Sequence, residues 1–122
     1  MIRVDHIGVP ARTRLGAAGF LASLFGLDRE ILDDGRFARL RVSPEFTIVF
    51  FDSEQSQPMH VAFVVDDGSF DAILGRLKSQ GVVYGSQPNE LTNRRIDHPL
   101  SERFRTPDGH LFELMASPSG AT

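Results

Sequence analysis

Apolar and polar positions alternate along residues 2–9, with Val4, His6 and Gly8 on one face and Ile7 and Val9 on the other, which predicts a short strand ended by Pro10. The period then lengthens. Leu15, Phe20, Leu21, Leu24 and Phe25 make a broad stripe at helical spacing over 13–25, with Thr13 at the capping position and Gly26 as the stop. Residues 29–33 predict a strand and Asp34-Gly35 a hairpin turn. Phe37, Leu40 and Val42 fall in the next strand, whose polar face carries Arg39 and Arg41. Ser43-Pro44-Glu45 turns the chain into an apolar strand over 46–52, so the first half reads β-α-β-β-β.

Residues 53–58 form a polar connector that spans at most ~20 Å. The pattern then restarts. Residues 59–65 predict a strand with His60, Ala62 and Val64 on one face. A helix capped by Asp67 or Ser69 runs to about residue 80 with Phe70, Ile73, Leu74 and Leu77 as its stripe, and Gly81 stops it. Short strands over 82–84 and 102–105 flank a polar excursion over 87–101. Pro107-Asp108-Gly109 turns the chain into Leu111-Phe112-Glu113-Leu114-Met115, an apolar strand holding one carboxylate, whose burial would need a cationic partner. His110 has the opposite parity from Glu113 and is expected at the surface.

Two echoes tie the halves together. Asp5-His6-Ile7-Gly8-Val9 matches Met59-His60-Val61-Ala62-Phe63, and Ser43-Pro44-Glu45 matches Thr106-Pro107-Asp108. In that register Phe50 takes the place of Glu113. The offset grows between the echoes, which places extra residues of the second copy in 87–101; a binding loop and an ordinary solvated loop are both open readings of that segment. The chain is therefore expected to be one domain of two tandem modules, 1–52 and 59–117.

The 122 residues suit a single core, and a net charge of -3 argues against a nucleic-acid partner. The absence of cysteine removes disulfides, thiolate metal sites and a thiol nucleophile. No apolar run reaches the ~18 residues of a membrane span, and no export signal opens the chain, so a cytoplasmic protein without a membrane partner is expected.

A lone strand histidine is more often a core or surface group than a ligand. Here His6 and His60 occupy equivalent positions, so two modules set side by side would aim both into one cleft with Glu113. Two imidazoles and one carboxylate form a facial ligand set for a divalent metal ion (Fe, Mn, Zn, Ni or Co) and leave positions open for water or substrate.

These motifs resemble the vicinal oxygen chelate superfamily, which includes glyoxalase I, fosfomycin-resistance enzymes, extradiol dioxygenases and bleomycin-binding proteins. The resemblance runs from Val4-Asp5-His6-Ile7-Gly8-Val9 through Met59-His60-Val61-Ala62-Phe63 to Thr106-Pro107-Asp108-Gly109-His110-Leu111-Phe112-Glu113-Leu114. It implies an α+β fold of two βαβββ modules forming a cupped mixed sheet, a homodimer, and a site that in many short members combines modules from two chains. It also implies His6, His60 and Glu113 as metal ligands and a small oxygen-rich substrate bound through vicinal oxygens. Arg94, Arg95, Arg103 and Phe50 are then candidates for substrate contact, and His98 for proton transfer. Phe50 stands where glyoxalase I places a further ligand, which counts against that activity. A dioxygenase-like reaction is preferred, with fosfomycin-type epoxide opening and non-catalytic drug or metabolite binding as alternatives.

Overall fold

Each half of the chain builds one four-stranded sheet and one helix, with the same strand order in both. The structure, a computed structural model, describes residues 1–55, 57–97 and 100–117. It divides into two compact units, Met1–Gln57 and Pro58–Thr122, with the boundary inside the expected connector. The first unit runs β1 (His6–Ala11), α1 (Arg14–Phe25), a short 3-10 turn (Asp28–Glu30), β2 (Ile31–Asp33), β3 (Phe37–Ser43) and β4 (Phe46–Asp52). The second runs β5 (His60–Asp66), α2 (Asp67–Ser79), β6 (Tyr84–Gly85), β7 (Ser101–Arg105) and β8 (Leu111–Ser117). The sheets are ordered β1-β4-β3-β2 and β5-β8-β7-β6. In each, the first and last strands pair in parallel and the hairpin strands antiparallel. This is the α+β, two-module βαβββ architecture that the echoes implied.

Burial follows the two periods. Ala18, Leu21, Ala22 and Leu24 of α1 are buried together with Val9, Ala38, Leu40, Ile48 and Phe50 of the first sheet. Phe70, Ile73, Leu74 and Leu77 of α2 are buried with Phe104, Phe112 and Leu114 of the second, where Phe112 meets Phe63 and Phe104 edge-on at 5.6 and 6.1 Å. Each buried Val, Leu, Ile or Phe contributes roughly 1.5–3 kcal/mol. The stripe expected for α2 is the buried one; of the stripe expected for α1, Leu21 and Leu24 are buried, Phe20 and Phe25 are half-buried and Leu15 is exposed, with Ala18 and Ala22 completing the inward face.

Several boundaries differ from the sequence expectation for identifiable reasons. Pro10 lies inside β1, which its place at the sheet edge permits because an edge strand needs no donor on its outer side. Thr13 makes no side-chain cap; the first N–H of α1, from Arg14, is satisfied by Asp52 Oδ1 at 2.7 Å. The Arg14 guanidinium also bonds Asp33 and Asp52; it holds the Asp33 carboxyl below the usual range, and the Arg14 backbone N–H, with the guanidinium second, does the same to Asp52. In α2 the cap is Asp66, accepting from the Ser69 N–H, rather than Asp67 or Ser69. His110 is a correction: it is buried, not at the surface. Its Nδ1 accepts from the Met59 N–H at 3.0 Å, and it stacks on Phe112, pinning the start of β5 to the last turn.

Candidate metal centre

In the second unit, β5 and β8 run in parallel with Ala62 opposite Glu113 and His60 opposite Leu111, which puts His60 and Glu113 on one face. Their side chains meet, His60 Nε2 to Glu113 Oε1, at 3.0 Å. His60 is half exposed at 53%, whereas Glu113 is 11% exposed, so the carboxylate sits at the floor and the imidazole at the rim. The cationic partner expected for Glu113 is Arg103, its cross-strand neighbour on β7. Arg103 Nη2 donates to Glu113 Oε2 at 3.0 Å, and Nη1 donates to the Ser86 carbonyl.

In the first unit, β1 pairs with β4 so that Gly8 stands opposite Val49 and Val9 opposite Phe50. Comparison with the β5–β8 register makes Val49, not Phe50, the counterpart of Glu113. The equivalence of Phe50 with Glu113, and with it the substrate contact assigned to Phe50, is therefore corrected. Phe50 is 2% exposed, in the core with α1. The error arose in the turn: Gly109 is an extra residue between the Pro-acid pair and the strand, and it shifts the last strand of the second copy by one position. The functional consequence survives, since valine at that place is no metal ligand either.

The face carrying His6 also holds an open cleft of about 430 Å³ lined by Asp5, His6, Gly8, Phe37, Arg39, Thr47, Val49 and Phe51. Phe37 and Phe51 stand directly opposite each other on β3 and β4, giving the cleft an aromatic floor at one end. Arg39 lies over the Phe37 ring at 5.6 Å and also bonds Asp34. Asp34, accepting from Arg39 and from the Phe37 and Arg36 N–H groups, is held well below the usual carboxylate range. His6 Nδ1 faces Asp5 Oδ2 at 2.8 Å, both side chains being exposed, which leaves Nε2 as the ring's other donor atom. Asp5 was missed in the sequence, although its place beside a candidate ligand was the available signal.

Among the described residues, neither unit by itself gathers three His, Asp or Glu side chains placed to hold a metal. The second sets one nitrogen and one oxygen donor side by side; the first holds His6 at the edge of its own cleft. The pair fits a divalent ion, because donors about 2.1 Å from one cation at right angles lie about 3.0 Å apart. That is the separation of His60 Nε2 and Glu113 Oε1.

The other candidates scatter. Arg94 lines a separate cavity with Lys78, Val82, Val83 and Tyr84, and its backbone N–H bonds the Tyr84 carbonyl. Arg95 donates its N–H to Asn93 in the same loop. His98 lies outside the described residues. Glu102 was not singled out in the sequence, because alternation in so short a strand does not show which face is covered. It is fully buried, neither oxygen has a hydrogen-bond partner among the described residues, and burial pushes its carboxyl up to about 8.

No family model matches the chain, and no curated protein matches its sequence. Solved structures do. Oxidase ChaP-H2 is 29% identical over 98% of this chain and 97% of its own, with a TM-score of 0.88. Oxidase ChaP-H1 is 28% identical over 98% and 99%, with a TM-score of 0.89. The fosfomycin resistance protein FosX from Listeria monocytogenes shares the fold at 21% identity over 96% and 94%, with a TM-score of 0.73.

Proposed function

From the vicinal oxygen chelate fold that this chain carries over nearly its whole length, we propose a divalent-metal-dependent enzyme acting on a small molecule with vicinal oxygens. His60 and Glu113 of one unit and His6 of another hold the ion. The observation that carries this reading is the 3.0 Å approach of His60 Nε2 to Glu113 Oε1, with a histidine at the equivalent place in the first unit. When bound, the metal supplies Lewis acidity toward the substrate oxygens, worth several kcal/mol. The chain's own groups do the rest: Asp5 orients His6, Arg103 orients Glu113, and the Phe37–Phe51 floor excludes water and stacks on a flat ring.

That floor favours an aromatic vicinal diol, and hence a dioxygenase-like reaction, over the opening of a small aliphatic epoxide. The relatives called oxidases support the same direction. Because one unit offers a single donor and the other two, the site needs both kinds of unit. We assign them to two copies of the chain in a homodimer. Metal analysis of the purified protein is the first test: near-stoichiometric metal is expected, lost in Glu113→Ala and His60→Ala. Anaerobic loading with Fe(II), then a panel of catechols with oxygen, is expected to yield ring-cleaved product. Turnover of fosfomycin with Mn(II), and none of catechols, would replace the dioxygenase reading by epoxide opening. Full ligand binding by metal-free protein, with no turnover, would replace both by sequestration.

A further inference from the structure

Both oxygens of Glu113 are engaged within its own unit, and by different groups: Oε1 faces His60 and Oε2 is held by Arg103. Arg103 is itself fixed. Its guanidinium bridges Glu113 on β8 and the Ser86 carbonyl just after β6, with its side chain 13% exposed. Ser86 is tied in turn to the loop, its N–H donating to Asn93 Oδ1 while Asn93 Nδ2 donates to Ser86 Oγ and to Glu90. Gly85 lets this loop close in, since a Cβ there would lie 1.7 Å from the Glu90 carbonyl oxygen.

Resting on the metal-site reading above, we propose that Arg103 is a positioning residue that restricts Glu113 to one-oxygen ligation and links its geometry to the 86–95 loop. A carboxylate left free to turn can bind a divalent ion through one oxygen or both, and a second oxygen would take a coordination position that substrate or co-substrate needs. With Oε2 committed to a rigid guanidinium, only Oε1 is presented beside His60. Arginine suits the task because its planar fork serves two acceptors at fixed separation. Lysine keeps the charge but offers a single point of attachment.

Cobalt(II) tests this, since its visible absorption reports coordination number and its titration reports affinity, neither requiring turnover. Wild type is expected to bind Co(II). Arg103→Met is expected to bind it about 10–100-fold more weakly, because the released carboxylate no longer holds Oε1 beside His60, with a spectrum altered by its changed ligation. Arg103→Lys is expected to recover part of the affinity but not the wild-type spectrum. In a Glu113→Gln background the Arg103→Met change is expected to alter affinity less than about twofold, because its effect travels through the carboxylate. A wild-type spectrum and affinity in Arg103→Met, or an equal loss in the Glu113→Gln background, would overturn the proposal and leave Arg103 as an ordinary sheet ion pair. If Arg103→Met does not fold, Arg103→Lys decides, and wild-type values in it overturn the proposal. Failure of the wild type to bind Co(II) would instead sink the metal-site reading, and this inference with it.

Discussion

Glu102 and Arg103 are neighbours on β7 with opposite surroundings. Arg103 reaches across to Glu113 on the ligand face, while Glu102 turns inward on the other side, opposite the fully buried Leu114. Burial raises the Glu102 carboxyl from 4.5 to about 8, with Arg103 opposing and the Glu113 charge adding to it. The sign follows from linkage. The folded protein holds a proton that the unfolded chain has released, so this contribution is fully present below pH ~4.5 and is lost as pH rises through about 8. The loss has a limiting slope of about 1.4 kcal/mol per pH unit. Urea unfolding between pH 5 and 8 is expected to show wild-type stability falling, and Glu102→Gln is expected to flatten that fall. A slope unchanged by the substitution would mean that Glu102 finds a partner in solution.

At the level of elements, the turn before β8 decides the geometry of the site. Gly109, at φ +87, adds one residue relative to the Ser43-Pro44-Glu45 turn, and that residue sets which side chains of β8 face His60. A Cβ at Gly109 would meet nothing within 4 Å, so substitution there costs backbone strain alone. Gly109→Ala is expected to destabilise by about 1–2 kcal/mol in thermal or urea unfolding with the metal site intact. An unchanged midpoint would show that the turn relaxes to another conformation. The same turn marks the limit of what the sequence displayed. Both helices, the succession of elements along each half and the His6–His60 equivalence were legible, because they rest on periods of 3.6 and 2 and on matching motifs. A single inserted glycine was not. Motif matching tolerates it, but a strand reverses its faces with every residue, so Phe50 was read into the cleft when Val49 belongs there. The Asp52 cap of α1 and the Arg103 support of Glu113 were hidden for a different reason: their partners lie on other elements, and only the pairing of strands brings them close.

For the whole molecule, the proposed division of ligands between two kinds of unit leads to a test that no single-chain site would pass. His6→Ala removes the donor of the first unit and Glu113→Ala one of the two donors of the second, so each variant alone is expected to lose metal-dependent activity. If two copies share each site, exchange of subunits produces heterodimers in which one site collects both substitutions and the other collects neither. Random reassortment places half of all dimers in that class, so a mixture of equal amounts is expected to recover about a quarter of wild-type activity. Recovery requires exchange, so the mixture is unfolded and refolded together, and size-exclusion chromatography with light scattering is expected to give twice the 13.5 kDa chain mass. A refolded mixture that is dimeric yet inactive would place His6, His60 and Glu113 of one chain around one ion. The metal chemistry would then stand, and only the assignment of its ligands to two copies would fall.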